Sequence, residues 1–258
     1  MNDMLRSLPD AALIVLFGAV AFALVAVTGV LARSAGLTSS TERSAGALDA
    51  YKIIVSFTAV VLGFSLVQAQ GTLRSTDQAV SREAGAINQL DRVLLRYGPE
   101  TRTEIRGLLH GYVEAVIRED WPAMQRGRQS DAATEALARL NRAVQTLNSG
   151  TAARPQLYAE MLKQLDSLND SRQEREDAAS SGVSQSLWEA LLCLFGIMLS
   201  LSLLIRVPNR LVALGGHAVA IGILFSLVFV MDQPFKGQTS IKPTAIVRVL
   251  AAIDTRRE

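Results

Sequence analysis

Phe57, Val60, Phe64 and Gln68 follow one another at intervals of three or four residues within "YKIIVSFTAVVLGFSLVQAQ". On a helix this spacing puts them on one face, with Ser65 and Gln70 beside it. A face that passes from bulky apolar groups to an amide suits a helix lining a narrow constriction that opens to water. Hydrophobic constrictions gate by dewetting, and amides or backbone groups can strip an ion of its water. The same side chains would suit contact with lipid or with neighbouring helices, so the stripe alone leaves both readings open. Conduction needs a symmetric ring that supplies one such helix per subunit. A channel reading therefore predicts a homo-oligomer.

Groups for bond-making chemistry are sparse. His110 and His217 are the only histidines, and no HExxH, Cys/His cluster, GxSxG or phosphate-cradling glycine loop occurs. His110, in "LLHGYVEAV", lies on an amphipathic helix and reads as a packed or surface residue. His217, in "LGGHAVA", is flanked by small residues that permit close helix packing. An interhelical hydrogen bond is expected there rather than a proton relay. No other apolar run carries an ionisable group near its middle, which argues against a proton-coupled transporter or a pump. The single cysteine, Cys193, cannot form an intramolecular disulfide and reads as a small packing residue. These observations predict no enzyme, no cofactor and no metal, and leave conduction, sensing or scaffolding.

The elements that would position the stripe are helices in a bilayer. Of 258 residues, 49% are hydrophobic, the net charge is +2, and no dense Lys/Arg run offers a nucleic-acid surface. Crossing the hydrocarbon layer takes about 20 apolar residues. Ala11–Ala32 and Ile53–Leu73 hold 22 and 21 residues without a charge, Val183–Ile205 has only Glu189, and Leu211–Met231 has 21 uncharged residues. Four transmembrane helices follow. The first run is too long for a signal core of about 7–15 residues. "RVPNR" forces the last two spans into an antiparallel hairpin, and a loop is expected from about Arg33 to Tyr51.

With four crossings, both termini share a side with the insertion between spans two and three. Near the membrane that side carries eight Lys/Arg against five on the other. The positive-inside rule then places insertion and termini in the cytoplasm of a bacterial inner membrane.

The insertion repeats apolar residues at helical spacing: Ile87, Leu90, Leu94; Ile105, Leu108, Leu109, Tyr112, Val116; Leu137, Leu140, Val144, Leu147; and Leu157, Met161, Leu165, Leu168. Breaks are expected at "YGPE", at "DWPA" and at "NSGTAARP". Its 15 Lys/Arg and 16 Asp/Glu suit the solvated faces of a helical bundle. No Pro separates span two from the insertion, so one helix should run on past the bilayer. The fold class is thus all-α, a polytopic membrane protein with a cytoplasmic helical bundle. Its parts are spans one and two (1–73), the bundle (74–182), a transmembrane hairpin (183–231) and a C-terminal turn with an amphipathic helix (232–258). In that last part, "MDQPFKGQTSIKP", Asp232 marks the membrane exit, Pro234 stops the helix and Gly237 allows the reversal. Phe235 becomes an apolar plug. Pro243 starts a last helix with Ile246, Val249, Leu250 and Ile253 on one face.

"LGFSLVQAQ", "REAGAINQLDR", "LLHGYVEAVIREDWP" and "DQPFKGQTSIKP" occur in that order. With this layout, the chain resembles the bacterial bestrophin-like membrane family, itself similar to bestrophin anion channels. The resemblance implies a pentameric channel in a lipid bilayer passing inorganic anions. By position, Val60 and Phe64 would be neck residues, with Phe57 and Gln68 next in line. In animal bestrophins the Pro-Phe-Gly turn leads into an acidic run that helps bind calcium. Here Lys236 interrupts the turn and no carboxylate follows it. Asp232 alone cannot supply the six or more oxygens calcium takes. The stripe also departs from three bulky residues in strict spacing, which leaves anion and cation selectivity both open. A second reading is a non-conducting sensor or scaffold whose insertion binds a ligand or partner protein.

Overall fold

A computed structural model describes residues 8–36, 40–97, 99–147, 155–180 and 182–256. Its helices are α1 (Asp10–Ser34), α2 (Thr41–Leu94), α3 (Pro99–Ala115), α4 (Trp121–Gln125), α5 (Asp131–Thr146), α6 (Pro155–Ser180), α7 (Gln185–Leu204), α8 (Arg210–Met231) and α9 (Thr244–Thr255). Among the described residues there is no strand. Among the described residues, α1, α2, α7 and α8 contain four stretches long and apolar enough to cross a membrane, which matches the expected spans. The 54 residues of α2 far exceed the ~20 that a crossing takes.

The chain divides into two compact units. The first comprises Met1–Gly71, Gly182–Gln233 and Gly237–Thr239. Here α1 and α8 approach so closely that a Cβ on Gly222 would lie 2.6 Å from the Phe17 carbonyl oxygen. Bilayer helices gain no hydrophobic drive toward each other, so small residues that admit close packing take over. Ala21, Val25, Tyr51, Met198, Leu214 and Ala218 form one buried cluster; Leu62, Leu191, Ile221, Phe225 and Val228 form another. Asn209, at φ 54°, makes the left-handed turn into α8, a conformation asparagine tolerates better than most residues.

The second unit comprises Thr72–Ser181, Pro234–Lys236 and Ser240–Glu258. Its core joins Ile87, Leu90, Leu94, Ile105, Leu109, Tyr112, Leu140, Val144, Met161, Leu165 and Leu168, as the helical spacing predicts. Ile246 and Ile253 of α9 are fully buried in the same core.

Two expectations about breaks meet local chemistry. The loop expected to reach Tyr51 is shorter, because α2 already begins at Thr41. Ser40 Oγ accepts the Arg43 amide at 3.3 Å, a cap that starts a helix. Alanines at 45, 47 and 50 then favour its continuation. No break occurs at Pro122: Val116–Asp120 forms a π-helical turn that runs directly into α4. Proline has no N–H and its ring crowds the carbonyl four residues back. A wider turn relieves that crowding. The chain reverses instead at Gly127, with φ 70°. The break expected over 148–154 lies outside the described residues.

Candidate functional site

In the membrane every backbone polar group must be bonded internally, which keeps a β-branched run such as "KIIVSFTAVV" helical. The face of α2 that carries Tyr51, Thr58, Leu62, Ser65 and Ala69 is buried within the first unit. Tyr51 donates its hydroxyl to the Leu214 carbonyl at 3.2 Å. Thr58 and Ser65 donate to Ile54 and Val61, one turn back, at 2.7 and 2.8 Å. The opposite face is uncovered in the chain. Phe57 is 57% exposed, Val60 55% and Phe64 74%, with exposed Gln68 continuing the line. The structure thus brings the four stripe residues onto one open face. It also extends the stripe through Ile53 (68% exposed) and Val67 (69%), which the sequence reading passed over. The signal for both was the same three-or-four spacing.

The C-terminal turn is divided between the units, Pro234–Lys236 lying in the second and Gly237–Thr239 in the first. Within the first, the Asp232 carboxylate accepts the Val183 amide at 2.5 Å. Gly237 has φ 83°, a left-handed conformation that favours glycine. Within the second, Phe235 is 2% exposed and meets the edge of Trp121 at 5.4 Å between ring centres. Trp121 Nε1 donates to the Ile241 carbonyl at 3.3 Å, and the Ile241 amide donates to the Pro234 carbonyl at 2.9 Å. Phe235 and the Trp121 indole are therefore held by the backbone around them.

Sequence reasoning took the charges of the insertion as solvated. Many are not, and this reading is corrected. Arg175, fully buried, donates to Glu83 at 2.6 and 3.3 Å and to Asp120 at 2.8 Å. Its guanidinium also lies over the Trp121 ring at 5.5 Å. Tyr112 donates to Glu83 at 2.5 Å, and Arg172 pairs with Glu176 at 2.5 Å. Burial, then the Glu83 charge, pushes the Tyr112 phenol well above its usual range, so it stays a donor. Burial opposes the charge on Arg175, but Glu83, Tyr112 and Asp120 outweigh it and raise its pKa. A second buried pair, Arg106 to Asp91 at 2.6 Å, is joined by Arg256 of the C-terminal segment. Glu83 and Arg175 fall in register with the apolar stripes of their helices, which is the signal that could have found them.

The histidines and the cysteine are also located. His217 Nδ1 bonds the Ala213 carbonyl at 2.7 Å, one turn back on α8, so the bond is intrahelical rather than interhelical. His110 lies 3.0 Å from Asp254. Cys193 is exposed on the chain and is not enclosed by packing. Among the described residues no group of three or more His, Cys, Asp or Glu could hold a metal ion.

A family model for the bestrophin-like domain matches residues 12–246. No curated protein matches. Among solved structures, a bacterial bestrophin homolog from Klebsiella pneumoniae, phased on zinc, superposes with a TM-score of 0.68 at 14% identity. The match covers 94% of this chain and 98% of that one. A point variant of the Klebsiella homolog gives a TM-score of 0.70 at 13% identity, over 93% and 98%. A further crystal structure, described as a membrane protein, matches at 0.70 and 13%, over 93% and 98%. At such identities the likeness is one of fold.

Proposed function

The chain belongs to the bestrophin-like family, and on that premise we propose that it is an ion channel whose pore is lined by α2 in a homo-oligomer. One observation carries the reading: α2 buries one face within its own membrane unit and leaves Phe57, Val60, Phe64 and Gln68 open on the other. In a ring of subunits those side chains form a dry constriction of phenylalanine and valine that ends in a collar of amides. Water leaves such a constriction readily, and an ion passes only when the ring widens or the amides replace part of its hydration shell. A pentamer passing chloride or another small anion is the assembly proposed. No charge lines the stripe, so selectivity rests on amides, backbone groups and the wider field. The excess of Lys/Arg on the insertion side supports a bundle and termini in the cytoplasm of a bacterial inner membrane.

Purified protein in planar bilayers, in asymmetric chloride salts, tests this. Conductance is expected, and Phe64→Ala should raise it about tenfold or abolish its gating by removing the bulk of the constriction. Because Phe64 is exposed in the chain, the same change should shift folding stability by less than about 0.5 kcal/mol. Bilayers silent across voltages and salts would sink the proposal. Together with a co-purifying protein partner, they would favour a scaffold.

A further inference from the structure

At the ends of α1 and α7 and the start of α8, within the membrane unit, a cleft of about 350 Å³ is lined by Arg33, Arg206, Arg210 and Gly29. Arg210 is built into it. Its Nη2 donates to Thr28 Oγ1 at 3.0 Å and to the Ser202 carbonyl at 2.6 Å, and its Nη1 reaches the Val25 carbonyl at 3.5 Å. Thr28 and Ser202 are themselves joined, hydroxyl to hydroxyl, at 2.8 Å. A Cβ on Gly29 would lie 2.2 Å from Arg210 Nη1, so glycine makes the room for this guanidinium. All three acceptors are neutral oxygens, which orient the cation without neutralising it.

We propose that this cleft binds the phosphate of an anionic phospholipid. Three guanidiniums line one opening, and α8 begins there at Arg210. The dipole of a helix start adds to their pull on an anion. Guanidinium forks match phosphate oxygens in pairs. What separates a lipid from a free anion is apolar surface: Ala32, Leu203 and Val207 line the same cleft, and the helix ends that form it carry further apolar side chains. Val30 and Leu31 on the last turns of α1, Leu204 at the end of α7 and Leu211 at the start of α8 are all exposed. Those side chains offer acyl chains a surface next to the charged cleft. The proposal does not depend on conduction, since it needs only the membrane unit.

Native mass spectrometry of the full chain in detergent, titrated with phosphatidylglycerol, phosphatidylcholine or inorganic phosphate, tests it. Phosphatidylglycerol should be retained in preference to phosphatidylcholine. Arg33→Gln, at an exposed position, should lower that retention about threefold, the scale of one screened charge contact. Arg210→Gln should lower it further, with size-exclusion chromatography reporting whether that variant folds. If it does not, Arg33→Gln decides. Equal retention of the two lipids, or an Arg33→Gln protein that binds as the parent does, overturns the site. Inorganic phosphate held as strongly as phosphatidylglycerol, and lost in Arg33→Gln, overturns the lipid assignment.

Discussion

In the membrane unit the buried hydroxyls of Thr58, Ser65 and Ser226 donate to carbonyls three or four residues back on their own helices. In the bundle, buried Glu83, Asp120 and Arg175 bond across three helical segments. Both arrangements solve the problem of a polar group out of water, which costs several kcal/mol if left unpaired. The local solution says nothing about which helix packs where, so the membrane unit relies on shape, through Gly222 and Gly215, beside a few neutral cross-helix bonds such as Tyr51 to the Leu214 carbonyl and Thr28 to Ser202. The cross-helix solution works only in one register, because each charge needs its partner within about 3 Å.

The largest effect expected is therefore in the bundle. Arg175→Met leaves Glu83 a buried anion without its cation and leaves Asp120 only Arg172, 4.0 Å away. The loss should be about 3–5 kcal/mol, seen as a lower thermal midpoint of the detergent-purified full chain. Adding Glu83→Gln and Asp120→Asn should recover most of it, since a neutralised cluster leaves no charge uncompensated. An Arg175→Met protein as stable as its parent would mean that the charges do not set the register.

Shape is tested next, in the membrane unit. Gly222→Ala puts a methyl 2.6 Å from the Phe17 carbonyl oxygen and 3.0 Å from Ala21 Cβ, so α1 and α8 must part. A loss of about 1–3 kcal/mol is expected. Gly216→Ala, with nothing within 4 Å of the added atom, is the control. It should be neutral or stabilising by up to about 1 kcal/mol, the helix preference of alanine over glycine. If the two glycines respond alike, close approach is not what sets this packing.

The same contrast explains what could be read in advance. Uncharged runs of the length of Ala11–Ala32 have one physical meaning, and the spans follow from them. The stripe from Phe57 to Gln68 was legible because a helix converts spacing directly into a face. Composition, in contrast, hides the burial of Asp120 and Arg175. A charge is usually solvated, and short of the three-dimensional partner only register with an apolar stripe, as at Glu83 and Arg175, marks the exception. The π turn before Pro122 was missed because proline signals crowding without saying whether the helix breaks or widens. His217 was assigned to a neighbour that its own helix replaced, since a carbonyl one turn back is always within reach.

The smallest effect separates burial from pairing inside the bundle cluster. Glu176 is buried beside Arg172, with Asp120 and Arg175 also facing it. Burial pushes its carboxyl up, Arg172 pulls it back, the Asp120 charge pushes it up again, and the net direction is up. A carboxyl raised in the folded state binds its proton more tightly there than in the unfolded chain. Its contribution to stability is then fully present below the unfolded value of about 4.3 and is lost as pH rises through the folded value. Glu176→Gln stays neutral at every pH and should not show that decline. Below pH 4 the variant and parent should unfold alike. As pH rises, the variant should gain on the parent by up to about 1 kcal/mol in midpoint measurements. A variant that falls behind the parent at neutral pH would show that the pairing with Arg172 outweighs burial, and that all the bundle's inward charges, not only the Arg175 cluster, hold it together.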